Sequence, residues 1–300
     1  IENTLLVTAQ GDTLLRNGSL GAQVALWPLL RGEVRVVEFS LDKTAVHYRD
    51  TTAAMTLRAD IGSFVLDGAR ARLKEHSADI RKATLDQGTI DLTLGESHAS
   101  DTTASDTASA GWKILASALE LKGVDFRMHT FPERTELAVK LEEGAVSGAE
   151  IDLETQQVAV RLVRLAGGDY QYLTDTSRMA QTPAPADSAA SEPGLPWTVS
   201  LQRLELADNS VSYGSLYGQP GPGFDPSHIR LSALDLRIDS IRSRGSDIAA
   251  TLRELSFRER SGLEVTGTQG TFSMDSAGIV LRDFSLTTPA SRISAQARAG

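Results

Sequence analysis

Leu41-Asp-Lys-Thr-Ala-Val46-His-Tyr48 decides how the chain is read: an apolar residue, a mostly polar run of four, then two apolar residues two positions apart. The arrangement recurs. Leu85-Asp-Gln-Gly-Thr-Ile90-Asp-Leu92, Leu165-Ala-Gly-Gly-Asp-Tyr170-Gln-Tyr172 and Leu206-Ala-Asp-Asn-Ser-Val211-Ser-Tyr213 keep the spacing. Leu121-Lys-Gly-Val124-Asp-Phe126 shortens the polar run, and Phe257-Arg-Glu-Arg-Ser-Gly-Leu263-Glu-Val265 lengthens it. The lead residues fall 44, 36, 44, 41 and 51 positions apart, a period that marks stacked arrays in which each unit touches chiefly its neighbours. Trp112-Lys-Ile114 and Trp197-Thr-Val199 repeat at a distance of 85. Each window reads as the end of one strand, a polar turn and the start of the next.

Between the windows apolar residues alternate with polar ones: Leu137, Val139 and Leu141; Val158, Val160 and Leu162; Leu234, Leu236 and Ile238. Alternation of period two gives a pleated strand one oily and one wet face. The chain is therefore expected to be all-β. The segment Leu73 to Leu85 has helix-forming content but runs into a repeat window, and is expected to be strand. Residues 97–111 and 174–196, rich in Ser, Thr, Ala, Asp and Pro, read as flexible insertions on one continuous repeat region spanning 1–300. Gln219 to Pro226 reads as a Pro and Gly loop.

Composition narrows the function classes. The chain has 300 residues and is 41% hydrophobic, enough for a sizeable apolar surface, yet only 5% aromatic. A formal charge of -9 repels phosphate backbones and argues against nucleic acid as a partner. Without cysteine there are neither disulfides nor thiolate metal sites. No stretch reaches the ~20 apolar residues of a spanning helix. The chain opens on Ile1 rather than Met, so a signal peptide or membrane anchor is expected to lie outside it.

No catalytic pattern stands out. His47, His76, His98, His129 and His228 never fall at metal-ligand spacing. No nucleophile elbow, phosphate loop or dinucleotide fingerprint opens a helix. Carboxylates such as Glu142 and Glu143 would permit a glycosidase pair, but few aromatics are available as sugar platforms. The expectation is a non-enzyme without cofactor or metal.

Periodicity alone leaves a sandwich, a closed solenoid and an open gutter as options. Leu20 to Asp42, with its "PLL-G" turn and its closing Leu-Asp step, resembles a segment of the AsmA-like superfamily. The stretches Phe224-Asp-Pro-Ser-His-Ile-Arg-Leu-Ser-Ala-Leu-Asp-Leu and Phe257 to Leu263 resemble its TamB-like (translocation and assembly module) members. The resemblance implies an elongated, U-shaped, antiparallel-rich sheet groove built from the ~40-residue repeats. It further implies a periplasmic protein held to the inner membrane, carrying phospholipid acyl chains or assisting outer-membrane biogenesis, with an outer-membrane barrel protein as a partner. Six units of about four strands would give a gutter on the order of 100 Å long.

The paired residues of the windows then become groove-lining candidates: Val46, Tyr48, Ile90, Leu92, Val124, Phe126, Tyr170, Tyr172, Val211 and Tyr213. Ordinary packing against a second layer is the competing role for all ten. A structural or adhesive β-solenoid with a closed interior is the alternative for the whole chain, and a carbohydrate-active β-protein is the third reading. Asp101-Thr-Thr, Asp106-Thr-Ala and Asp187-Ser-Ala resemble the acceptor pattern of a periplasmic O-glycosylation system, which would make Thr102, Thr107 and Ser188 acceptors.

Overall fold

A computed structural model describes residues 2–7, 13–50, 54–95, 111–131, 134–175 and 197–299. They form one sheet. In chain order the strands are β1 (Glu2–Val7), β2 (Thr13–Ala25), β3 (Glu33–Asp50), β4 (Met55–Arg72), β5 (Ser77–Leu94), β6 (Lys113–Thr130), β7 (Thr135–Asp152), β8 (Gln157–Thr174) and β9 (Thr198–Ser215). They continue as β10 (Ile229–Arg244), β11 (Asp247–Glu259), β12 (Glu264–Val265), β13 (Gly267–Asp275), β14 (Gly278–Thr287) and β15 (Arg292–Ala299). Spatial order follows chain order from β1 to β15, with β12 pairing only β11. The sheet does not close: β1 and β15 are free edges, and the fold is the expected all-β, elongated, curved groove.

All neighbours are antiparallel except β5/β6 and β8/β9, which are parallel. A parallel neighbour requires the chain to return the whole length of a strand before starting again. Gly95 and Trp112 accordingly lie at opposite rims, as do Asp175 and Trp197. Most of the insertions 97–111 and 174–196 lies outside the described residues, as do Thr102, Thr107 and Ser188. Thr174 itself is the last residue of β8. The segment Leu73 to Leu85 is a turn followed, from Ser77, by strand.

The sequence windows mark something other than turns between strands. Asp42-Lys43-Thr44, Asp86-Gln87-Gly88, Lys122-Gly123-Val124, Ala166-Gly167-Gly168 and Ala207-Asp208-Asn209 all lie inside single strands of 18 residues. At the eleventh position of each strand, Lys43, Gln87, Gly123, Gly167 and Asp208 take φ between 50° and 62°. The ~40-residue recurrence thus picks out β3, β5, β6, β8 and β9, the 18-residue strands that share one direction. Phe257 to Val265 is different, a true reversal in which Phe257 pairs with Val265.

These left-handed residues lie on one line across the sheet, opposite Gly62 of β4 and Glu142 of β7; from β3 to β9 no pair slips register there, whereas β10 shifts register opposite Asp208. A second line six residues away runs through Val37, Gly68, Arg81, Ser117, Gly148 and Arg161, with Gly68 and Gly148 at φ 71° and 63°. At both creases two successive residues point outward, so the alternation changes phase. In β8 the inward residues are Val158 and Val160, then Val163 and Leu165, then Gly168, Tyr170 and Tyr172. Leu162, expected beside Val158 and Val160, therefore points to the outer face.

Two outward residues in succession lengthen the outer surface and fold the inner rows toward each other. At the first crease this is visible as contact: a Cβ built on Gly144 would come 2.8 Å from Leu141 and 3.4 Å from both Leu121 and Leu165. Leu141 is among the few buried hydrophobics. The inner face is the apolar one, and each 18-residue strand is divided into two walls and a floor.

The outer face is held by ion pairs that join neighbouring strands. Glu33 meets Arg70 at 3.0 Å, Arg72 meets Asp79 at 3.0 Å, Lys82 meets Glu120 at 2.8 Å, and Lys113 meets Glu150 at 2.6 Å. Arg81 pairs with Asp67 in the same layer. Farther along, Asp239 is held by Arg203 and Arg253, each at 3.1 Å.

Candidate functional site

Side-chain rows run across the strands like ribs along a trough. One floor row passes through Leu41, Phe64, Leu85, Leu121, Gly144, Leu165 and Leu206. On one wall lie Val36, Ala69, Ile80, Ala116, Ala149, Val160 and Leu201. The opposite wall carries Val46, Ala59, Ile90, Phe126, Val139, Tyr170 and Val211, with Tyr48, Leu57, Leu92, Met128, Leu137, Tyr172 and Tyr213 above them. No charged side chain interrupts these four rows.

All ten candidates from the sequence fall on this one face. Val46, Ile90, Phe126, Tyr170 and Val211 share a row, Tyr48, Leu92, Tyr172 and Tyr213 share the next, and Val124 sits in the row at the crease. They occupy a single wall. The floor and the other wall, equally apolar, were missed because the floor residues that open the windows read as strand ends, the other wall lies upstream of the windows, and the phase change at each crease conceals their continuity. Counting alternation separately on either side of a polar pair would have found them.

The inner corner of the first crease is shut, apolar in its middle at Val124 and Leu141 and polar toward β2 and β9. Asn17, Thr44 and Asn209 are buried there. The Thr44 hydroxyl donates to Asn17 Oδ1 at 2.8 Å. Asn209 Oδ1 accepts the Gly168 N–H at 2.9 Å, while its amide donates to the carbonyls of Leu165 at 3.1 Å and Ala207 at 3.0 Å. These bonds replace ladder bonds that the bend removes, since a buried backbone group left unpaired costs about 1–3 kcal/mol.

Tyr172 and Tyr213 stack with ring centroids 6.0 Å apart and planes 5° from parallel. The Tyr170 hydroxyl, without a hydrogen-bond partner, sits below them on the same wall, and burial pushes its pKa above the ordinary tyrosine value. At the rim beyond this wall the row turns polar, through Thr130, Thr135, Thr174 and Ser215. The other rim is aromatic: Trp112 lies edge-on to His76 at 5.8 Å, and Trp197 occupies the equivalent place before β9.

Nothing in the described part of the molecule covers the apolar face. Extensive contacts join each strand only to its sheet neighbours, and the buried hydrophobics are three: Leu141, Leu234 and Val265. Between Val199, Ser243, Ile248 and Met274, at the far end of the inner face, lies a mainly apolar hollow of about 500 Å³. A larger hollow of about 1080 Å³ lies mainly on the outer face, bounded by Arg16, Lys43, His47, Arg58 and Asp60. Leu5, Ala45 and Val46 complete its lining, which mixes charged and apolar side chains. Among the described residues no group of three His, Cys, Asp or Glu is placed to hold a metal ion, and no helix is long and apolar enough to cross a membrane.

Comparison with known proteins returned no match to any family model, curated protein or solved structure.

Proposed function

We propose that the trough carries the acyl chains of phospholipids across an aqueous compartment of the cell envelope, as a periplasmic lipid conduit or outer-membrane biogenesis factor. In this reading the full-length protein is anchored in the inner membrane and meets an outer-membrane barrel protein at its far end. The observation that carries it is the inner face: continuous apolar rows cross the strands with no second layer over them among the described residues. Exposed apolar patches of this extent are rare on proteins without a partner for them.

Size is compatible with the cargo. Fourteen strands follow one another along the sheet, and at ~4.8 Å per step they span about 62 Å, shorter than the length expected from the repeats alone because each repeat holds fewer and longer strands. A bilayer core of ~30 Å holds two acyl chains end to end, so the trough accommodates about four chains in file. Apolar wall binds such chains at ~25 cal/mol per Å² and demands no polar specificity.

Organic extraction of protein purified from envelope material, followed by mass spectrometry, tests the proposal. Co-purified phospholipid in the parent protein and its loss in Ile90→Asp are expected. Protein that carries no lipid, or an Ile90→Asp variant that retains it in full, would overturn the conduit.

A further inference from the structure

Between β2 and β3 the chain does something no other rim connection in the described structure does. Leu26-Trp27-Pro28-Leu29-Leu30-Arg31 forms a 3-10 turn, Trp27–Arg31, with Pro28 in its first turn and Gly32 closing it at φ 78°. The Gly32 N–H bonds to the Leu29 carbonyl at 3.1 Å, and the Leu73 N–H to the Gly32 carbonyl at 3.2 Å, so the turn is fixed to the rim beside β4. Its apolar side chains are left largely to solvent. Leu26 is 73% exposed, Trp27 83%, Leu30 80% and Leu29 45%.

The setting is cationic in a chain of net charge -9. Arg31 and Lys74 flank the turn without an ion partner, and the Lys74 stem lies against Gly32, with its Cε 3.5 Å from where a Cβ would be. The two nearest acids are already engaged, Glu33 with Arg70 and Glu75 with Arg72. Position matters too: β1 pairs with β2 only as far as Ser19, so among the described residues no strand lies alongside β2 next to the turn.

We infer that this turn is a membrane-insertion knob that docks one end of the trough on an anionic bilayer. Four large apolar side chains on a fixed five-residue turn offer a few hundred Å², short of the ~800 Å² a side that a stable protein interface uses. For a bilayer the same features suffice. Tryptophan and leucine enter the interfacial layer, proline and the Gly32 cap hold them in the inserting conformation, and Arg31 and Lys74 keep their stems against apolar surface while their charges meet lipid phosphates. An apolar insertion combined with a basic flank is the two-signal arrangement that peripheral anchoring requires. The inference is independent of what the trough carries.

The full chain with Trp112→Phe and Trp197→Phe leaves Trp27 as the one tryptophan. Mixed with vesicles of phosphatidylcholine and phosphatidylglycerol, its emission should shift to the blue and be quenched by lipids brominated on their acyl chains. Leu26→Asp with Leu30→Asp should weaken partitioning about tenfold or more, as expected for removing buried apolar surface. Arg31→Glu with Lys74→Glu should abolish the preference over pure phosphatidylcholine. Both pairs replace exposed residues, and unchanged circular dichroism and unchanged co-purified lipid would separate a docking defect from loss of the trough. Three results overturn the knob: no quenching of Trp27 on any vesicle, binding indifferent to the Leu26 and Leu30 changes, or a blue shift that depends on protein concentration without vesicles, which would mean a protein surface instead.

Discussion

At the scale of single residues, the bend depends on a few backbone conformations. Gly123 holds φ 57° with open space around it, since the nearest atom to an added Cβ is the Gln87 Cγ at 3.8 Å. Substitution there therefore measures backbone strain with little steric contribution. Gly123→Ala should lower stability by about 1 kcal/mol and Gly123→Val by more, while Gly123→Asn stays near the parent, as read from urea midpoints. Asn209→Ala should cost about 2–3 kcal/mol in the same assay, because it removes three hydrogen bonds and leaves the Gly168 N–H buried and unpaired. A loss below about 0.5 kcal/mol would show that water enters the corner in place of the side chain. Residues were the most legible level of the sequence. The pairs Tyr170/Tyr172 and Val211/Tyr213 were chosen from alternation alone and share one wall. Asn17, Thr44 and Asn209 escaped, because a polar residue within a polar run reads as solvated loop until its partners across the sheet are known.

Elements were harder to read, and for a physical reason. Gly, Asn and Asp are the residues that best tolerate positive φ, and they serve a reversal and a crease alike, as do the polar Lys43 and Gln87 here. Asp42-Lys43-Thr44 therefore looks like a turn between two strands although it is the bend within β3. Genuine turns have side chains that bond back to the chain. Asp152, ending β7, accepts the N–H groups of Thr155 at 2.9 Å and Glu154 at 3.0 Å, and these donations, that of Thr155 foremost, lower its pKa below 3.8. Asp225 is lowered in the same way by the N–H groups of Gly221 and Ser227, with His228 Nδ1 at 3.0 Å adding to them. A carboxylate whose folded pKa is depressed stabilises the fold at any pH above its unfolded value, and that contribution disappears as pH falls through the folded one. Urea midpoints should hold from about pH 6 to the ordinary carboxylate range and decline below it. Asp152→Asn should flatten the acid limb, and an unaltered limb would show that other carboxylates govern it.

For the whole molecule, the question is whether the inner face is reachable. The chain contains no cysteine, so a single introduced thiol reports one position. Phe126→Cys, on the inner wall, and Arg127→Cys, its outward neighbour in β6, form the test pair. After detergent removal of lipid the two should react with a bulky maleimide at rates within about tenfold, and added phospholipid should slow only the inner one, as expected if apolar wall is buried by cargo. A Phe126→Cys thiol that stays protected in lipid-free protein would mean that the wall is covered. The overall curvature was not legible from periodicity. It arises from two phase changes in the long strands β3 to β8 and from parallel joins that no local pattern encodes.

Those joins have a further consequence. Residues 33–94 and 113–174 are matching sets of three strands, each set beginning and ending in the same direction. Three is odd, so the next set can start with the same polarity only after the chain has been carried back to its starting rim. Because the second set repeats the pairing register of the first, adding or deleting one such set changes the span by a fixed quantum of about 14 Å and keeps the ribs in register. A molecule made this way can be cut to the width of the gap it serves, one triplet at a time.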